Sequence, residues 1–293
     1  MSDRETVWVL GGGLLRGLAH IGALPVLEER FGRPDHIVGT SIGALIGAAY
    51  AGGRTHEELN DYARTVTAPQ IFRRSRRLLL PGTLRLDGVI NPRPYREYIE
   101  KVLPVHGFDA LDIPISMNAV DLRTGGELWF RNESAGLTIP EAVYASSALP
   151  LLFPPLRTEH RVLVDGGVLH VLGIEEAFRW NPRRIVIIDV TGDFEGSDPL
   201  AKRPGLLGLH ERAMDALKLR YRSLTNAHWQ TRLAKVPEVI WVRPEVGSIS
   251  GTAFSRKGEI LEAGERAAVS AMPDPRALLF RLTARLRWKR SRP

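Results

Sequence analysis

The stretch His36-Ile-Val-Gly-Thr-Ser-Ile-Gly-Ala-Leu-Ile-Gly-Ala-Ala-Tyr-Ala51 decides the fold, and it contains the pattern Gly-x-Ser-x-Gly. The β-branched pair Ile37 and Val38 predicts the end of a strand, and the small residues after Gly43 predict a helix. This pattern is typical of a sharp strand-to-helix turn that holds a serine at the end of a sheet, with glycines where backbones approach closely. Ser41 is therefore a candidate nucleophile.

A second glycine-rich turn lies near the start of the chain. Val7-Trp-Val-Leu10 predicts a buried strand, and Gly11-Gly-Gly-Leu-Leu-Arg-Gly17 follows it and leads into a helix that ends near Arg30. Free N–H groups at such a turn face a negative charge, which could be a phosphate or the oxyanion of a reaction. The glycine spacing also matches a dinucleotide-binding loop loosely, so a dinucleotide-binding protein is one alternative.

The rest of the chain alternates predicted strands with predicted helices. Further strands are predicted at 113–122, 127–131, 161–165, 184–190 and 238–243, and a last helix at 257–269. Strands separated by helices predict an α/β fold with three layers, α/β/α, around a central, mostly parallel sheet, with ligand chemistry at the carboxyl ends of the strands. We expect one domain over residues 6–270 and a basic amphipathic C-terminal tail over residues 271–293.

Composition narrows the chemistry and the expected location. The 293 residues are 44% hydrophobic and 25% charged, as in a soluble globular protein, and they include no cysteine. Disulfides, thiol catalysis and Cys-ligated zinc are therefore excluded, no metal-ligand cluster is apparent, and we expect no cofactor. No apolar run reaches the roughly 18 residues that span a bilayer, and the first residues lack the apolar core of a signal peptide. We expect a cytoplasmic protein, or one bound peripherally to the inner face of the membrane.

The charge balance indicates an anionic partner. The formal net charge is +7 and the pI is about 10.0, which favours contact with phospholipid headgroups or with nucleic acid. Two segments mix arginines with apolar residues, Ile71 to Leu80 and the tail past Pro275. Each fits a membrane surface, with a solvated loop and a frayed terminus as the respective alternatives. Because no nucleic-acid recognition motif is present, we expect an anionic membrane and no nucleic acid. The sequence leaves the oligomeric state open.

Four motifs in order resemble the signatures of the patatin-like phospholipases. They are the glycine loop with the start of its helix, the Gly39-Thr-Ser-Ile-Gly43 turn, the segment from Ala145 to Pro155, and Asp165-Gly-Gly167. The resemblance implies a serine acyl hydrolase of the phospholipase A, lysophospholipase or esterase type, which cleaves fatty-acyl esters of phospholipids or related lipids through a Ser–Asp dyad and an acyl-enzyme. It makes Ser41 the nucleophile and Asp165 its base.

The resemblance also assigns the glycine loop. The N–H groups of Gly12, Gly13 and Leu14 would form the oxyanion hole, and Arg16 would either hold a headgroup phosphate or anchor the loop. The family usually has a further glycine where Leu14 stands, so a positive φ there would strain the leucine.

Two questions remain open at the level of sequence. Asp121 and Asp189 are rival acids, although an aspartate at a strand end is more often a local turn acceptor than a base. Strain at Leu14 also keeps open a catalytically weak, membrane-binding or scaffolding protein that retains the fold.

Overall fold

The computed structural model describes residues 5–75, 87–131, 136–191, 216 and 228–272. Within these residues a single sheet has the strand order β5-β6-β3-β2-β1-β7-β8, with β4 paired to β3 off this path. The strands are β1 Thr6–Leu10, β2 His36–Gly39, β3 Ile115–Asp121, β4 Gly126–Phe130, β5 Leu156–Arg157, β6 Val162–Asp165, β7 Arg184–Ile188 and β8 Glu238–Val242. Four pairs of neighbours are parallel: β3 with β2, β2 with β1, β1 with β7, and β7 with β8. Strands β4 and β6 run antiparallel to β3, and β5 pairs antiparallel with β6.

Helices cover both faces of this sheet. They are α1 Leu18–Phe31, α2 Ile42–Ala51, α3 His56–Thr65, α4 Ala68–Ile71, α5 Pro92–Val102, α6 Ile139–Ser147, α7 Ile174–Ala177 and α8 Lys257–Ser270. Successive residues of β1 point to opposite sides, as in any strand. Trp8 and Leu10 join a large core with residues of α1, α2, α3, α5, α6 and α8, while Val7 and Val9 join a smaller core with α7 and the helical residues 228–233. The predicted three-layer α/β/α fold with a mostly parallel sheet is confirmed.

Several predictions fall partly or wholly on residues outside the described part. These are the basic stretch after Ser75, most of the helix predicted before Leu233, and the C-terminal tail apart from Ala271 and Met272. In the described residues, no helix combines the length and the hydropathy that crossing a bilayer requires.

The carboxyl ends of β2 and β6 meet along one edge of β3. Met117 pairs with both Gly39 of β2 and Phe130 of β4, so β2 and β4 occupy opposite edges of β3. Ala119 pairs with both Leu128 of β4 and Asp165 of β6, so β6 shares the edge of β2. Because β2 is parallel and β6 antiparallel to β3, the carboxyl ends of β2 and β6 point toward each other along that edge.

Helices α1 and α8 pack with their backbones in direct contact. A Cβ added at Gly22 would lie 1.9 Å from the Leu261 carbonyl oxygen, and one added at Gly264 would lie 1.9 Å from the Ala19 carbonyl oxygen. No side chain larger than that of glycine fits at either of these two positions. Since α1 begins directly after the glycine loop, this contact fixes the helix that supports the loop.

We expect Gly264→Ala to lower the free energy of unfolding by about 3 kcal/mol or more, because the helices must separate to admit a methyl group. Gly258→Ala is the matched control in the same helix, since a Cβ there meets no atom within 4 Å. It should leave stability unchanged or raise it by up to about 1 kcal/mol. Urea unfolding of both variants checks the pair, and equal stability of the two would contradict the close contact.

Candidate active site

Ser41 sits on a strained turn between β2 and α2. Its backbone has φ 56° and ψ −119°, a positive φ that is costly for a residue with a Cβ and that clusters at functional sites. A Cβ at Gly43 would lie 2.1 Å from the Leu10 carbonyl oxygen, so only glycine allows the turn to pack against β1. The Ser41 N–H donates to Ser146 Oγ at 2.9 Å, and its hydroxyl makes no capping bond to α2. The hydroxyl is therefore available for another partner.

That partner is Asp165. Ser41 Oγ donates to Asp165 Oδ2 at 2.7 Å, and the two residues are 7% and 1% exposed. The other carboxylate oxygen, Oδ1, accepts from the Gly167 N–H at 2.6 Å, and the Asp165 N–H donates to the Ala148 carbonyl at 3.0 Å. A serine hydroxyl bonded to an oriented carboxylate at this distance is within reach of direct proton transfer.

A polar network lies beneath the turn that follows Asp165. Asn118 Nδ2 donates to Glu127 Oε1 at 2.9 Å and to the His170 carbonyl at 3.1 Å, and His170 Nδ1 bonds to Glu127 Oε2 at 2.7 Å. A Cβ at Gly166 would lie 2.3 Å from the Asn118 side chain, so the turn rests directly on this residue. The sequence did not identify Asn118, because no residue pattern around it indicates a contact with the turn after Asp165.

The N–H groups of the glycine loop differ in whether they have an acceptor among the described residues. Gly11 and Gly12 donate their N–H groups to the carbonyls of Ile188 and Val171, at 3.1 and 3.0 Å. The N–H groups of Gly13 and Leu14 donate to no carbonyl or side chain of the residues that the structure describes. The Gly12 N–H, which the sequence assigned to the oxyanion hole, is thus occupied within the fold.

Leu14 adopts the positive φ that the sequence analysis identified as a source of strain. Its φ is 54°, in the region that favours glycine. Gly12 also lies against Ser41, since a Cβ there would be 3.3 Å from Ser41 Cβ. The loop is therefore both strained at Leu14 and in contact with Ser41.

Two buried side chains hold the loop from behind. Arg16 is 2% exposed and its Nη1 donates to the Thr191 carbonyl at 3.3 Å, so the structure favours the anchoring role over the headgroup-binding role. His20 is fully buried and its Nε2 donates to the Gly11 carbonyl at 2.8 Å. Burial lowers the pKa of His20 to about 4, so the ring is neutral near pH 7.

An apolar cleft opens over Ser41. It is lined mainly by hydrophobic side chains, among them Leu14, Leu45, Phe72, Leu149, Phe153 and Phe254. The polar lining groups are Ser41, Ser147, Tyr95 and Tyr98. Burial raises the pKa of Tyr95 well above its ordinary value, so its hydroxyl stays protonated and donates to Ser147 Oγ at 2.9 Å. The cleft suits a hydrocarbon chain better than a charged group.

The rival acids are used locally. Asp189 Oδ1 accepts from the N–H and the hydroxyl of Thr191, and Asp121 Oδ1 accepts from the N–H groups of Arg123 and Val162. Both are turn acceptors, as aspartates at strand ends commonly are.

A serine–histidine contact also exists in the interior, away from the Ser41–Asp165 pair. Ser116 Oγ lies 2.9 Å from His36 Nε2 and donates to Glu176 Oε1 at the same distance, and all three residues are buried. Burial lowers the pKa of His36 to about 3, which makes it a poor proton acceptor. No cluster of three His, Asp or Glu side chains in the described ranges could hold a metal ion.

The fold and the site define an α/β protein with a serine elbow and a buried Ser–Asp pair. The sequence model of the family "Patatin-like phospholipase" matches residues 8–178, which is more than half of the 293 residues. The chain belongs to the patatin-like phospholipase family.

Relatives of this chain include an uncharacterised NTE family protein of Mycobacterium tuberculosis. It is 29% identical over 195 residues, which cover 67% of this chain and 51% of that protein. "Lysophospholipase NTE1" of Lodderomyces elongisporus is 26% identical over 294 residues, which cover 90% of this chain and 19% of that protein. The chain thus spans about half the length of the mycobacterial relative and a smaller part of the fungal one.

Two solved structures also match. VipD from Legionella pneumophila aligns with 92% of this chain and 66% of its own, at 14% identity and a TM-score of 0.48. The type III effector protein ExoU aligns with 92% of this chain and 52% of its own, at 11% identity and a TM-score of 0.40.

The neutral His20 should make stability depend on pH. Its pKa falls from 6.5 in the unfolded chain to about 4 in the fold, so the unfolded state binds the extra proton between these values. The free energy of unfolding therefore decreases as the pH falls from about 6.5 to about 4, by about 3 kcal/mol for this group. His20→Gln keeps a donor and cannot titrate, so its stability should fall less over this range. Urea unfolding at several pH values measures both slopes, and identical slopes would contradict a neutral His20.

Proposed function

We propose that this protein is a serine acyl hydrolase that cleaves the fatty-acyl esters of phospholipids or lysophospholipids. The observation that carries the proposal is the 2.7 Å hydrogen bond from Ser41 Oγ to Asp165 Oδ2, at the base of an apolar cleft. Membership of the patatin-like phospholipase family supports it. The relatives named lysophospholipase support the choice of a lipid ester as substrate.

The first half of the reaction transfers the acyl group to the enzyme. Ser41 Oγ attacks the ester carbonyl carbon while its proton passes to Asp165 Oδ2, and the carbonyl oxygen becomes an oxyanion. The C–O bond to the leaving alcohol then breaks, and the alcohol takes the proton from Asp165. The acyl group remains as an ester on Ser41.

The second half returns the enzyme to its starting state. A water molecule gives a proton to Asp165 and attacks the acyl carbon, again through an oxyanion. The bond to Ser41 Oγ breaks, the fatty acid leaves, and Ser41 recovers its proton from Asp165. The bond from Gly167 N–H to Asp165 Oδ1 holds the carboxylate in one orientation through both halves.

The oxyanion is stabilised by the N–H groups of Gly13 and Leu14, the loop donors without an acceptor in the described residues. The N-terminus of α2, at Ser41, adds a partial positive charge beside the same atoms. One oxyanion donor is commonly worth about 10²–10³ in rate. The strained backbone of Leu14 is consistent with a donor fixed before substrate binds.

The proposed substrate follows from the lining of the cleft. A fatty-acyl chain fits the hydrophobic wall above Ser41, and the ester carbonyl then lies at the serine. Because such substrates reside in membranes and the chain is basic, we propose that the enzyme works at an anionic membrane surface. A dinucleotide-binding function is less well supported. The glycine loop packs against Ser41, and Asp189 accepts a hydrogen bond within its own turn, from the Thr191 N–H.

Removing either member of the pair should abolish ester hydrolysis. We expect Ser41→Ala and Asp165→Asn to lower kcat for p-nitrophenyl butyrate by at least about 10³-fold, because the attacking oxygen or the proton acceptor is lost. Asp121→Asn is the matched control, since its amide oxygen can still accept from the same backbone N–H groups. Full activity of Asp165→Asn would remove that residue from the mechanism.

A covalent probe separates an active enzyme from a scaffold that retains only the fold. A fluorophosphonate phosphonylates an activated serine, so the wild type should be labelled and Ser41→Ala should not. Mass spectrometry of the labelled peptide identifies the serine that reacted. An unlabelled wild type that is nevertheless folded would favour the scaffolding alternative.

A further inference from the structure

Three chain segments lie side by side at the rim of the cleft. The Asn91 N–H donates to the Arg73 carbonyl, Ser75 donates to Val89, and Val89 in turn donates to the Leu151 carbonyl, at 2.7, 3.0 and 3.1 Å. These hydrogen bonds link residues 73–75 to Leu151 through residues 89–91. We call the surface formed by Arg73, Arg74 and Leu151 the rim patch.

The rim patch is continuous with the interior of the cleft. Phe72 precedes Arg73 and Phe153 follows Leu151 by two residues, and both rings line the cleft with their centroids 6.1 Å apart. Leu149, on the other side of Leu151, lines it as well. A molecule seated on the rim patch is therefore next to the entrance that leads to Ser41.

Leu151 combines two unfavourable properties. Its side chain is 66% exposed, and its φ of 67° lies in the left-handed region that disfavours a residue with a Cβ. Packing within the described residues does not account for a leucine at this position. Leu122, at 56% exposure, is a comparable exposed leucine but has no positive φ. Contact with an apolar partner would account for the exposure of Leu151.

The charge around Leu151 identifies the kind of partner. Arg73 and Arg74 are exposed, and neither has a carboxylate within 4.0 Å in the part of the chain that the structure describes. The acids nearby are already paired, Asp87 with Arg157 at 3.1 Å and Glu97 with Arg93 at 2.8 Å. An apolar side chain near exposed cations that lack a carboxylate partner among the described residues complements an anionic lipid surface, which offers acyl chains beneath phosphates.

We propose that the rim patch docks on the surface of an anionic phospholipid bilayer, with Leu151 among the acyl chains and Arg73 and Arg74 on the lipid phosphates. This inference rests on the proposed lipid hydrolase function and adds the orientation of the enzyme. The entrance of the cleft then faces the bilayer, so an acyl chain enters without crossing water.

The experiment measures binding of the full chain to vesicles. All proteins carry Ser41→Ala to prevent hydrolysis, and cosedimentation is compared on phosphatidylglycerol/phosphatidylcholine vesicles and on pure phosphatidylcholine. We expect Arg73→Gln and Arg74→Gln each to weaken binding to the anionic vesicles by about fivefold. Leu151→Gly should weaken it by about tenfold. Because glycine tolerates the positive φ at this position, the Tm of the Leu151→Gly variant should be unchanged or higher. The Tm therefore separates lost binding from unfolding.

The control is Leu122→Ser with Arg123→Gln, which removes an exposed leucine and arginine from a turn that does not line the cleft. It should bind as tightly as the parent. An equal loss of vesicle binding in the control and in the rim variants would overturn the inference. It would also be overturned if the rim variants bind the vesicles normally and Arg285→Gln with Arg287→Gln abolishes binding.

A second readout separates this inference from the proposed function. With Ser41 restored, the rim variants should hydrolyse soluble p-nitrophenyl butyrate normally and lose activity on anionic vesicles. No hydrolysis of the soluble ester by the wild type would refute the proposed function, and the binding data would still decide the docking surface.

Discussion

The candidate active site depends on two strands of opposite direction that share one edge of β3. β2 pairs with Met117 and β6 pairs with Ala119, so their carboxyl ends meet after only a short interval. In a purely parallel sheet, the carboxyl ends of two strands on the same edge could not point at each other. The antiparallel entry of β6 thus brings Asp165 to Ser41 although the two are 124 residues apart in sequence.

The elements around this junction keep the pair in one geometry. Ser146 accepts from the Ser41 N–H, Gly167 donates to Asp165, and Asn118 supports the turn from below. The first two contacts are made by Ser41 and Asp165 themselves, and the third holds the turn that follows Asp165. Such support limits the motion of the reacting groups, which is the usual requirement for efficient proton transfer.

The glycine loop shows the same division between reactive surface and buried support. Its front lies against Ser41 and carries the strained Leu14, while its back is held by His20 and Arg16. The hydrogen bond from the buried Arg16 guanidinium to the Thr191 carbonyl ties the loop to the residues that follow β7. Strain at Leu14 is tolerated because the surrounding contacts determine its conformation.

Local patterns along the chain were enough to predict the three-layer fold and the serine turn. Strands and helices each have a characteristic hydrophobic pattern, and the glycines around Ser41 reflect close approach within one turn. Together with the family resemblance, the sequence also named Asp165 as the partner of Ser41. The hydrogen bond between Ser41 and Asp165 is visible only in the tertiary structure. The occupied N–H of Gly12, the buried position of Arg16, and the roles of Asn118 and Ser146 were likewise decided by residues distant in sequence. Hydrogen-bond partners across a fold depend on strand order and register, and no local pattern in the chain encodes these.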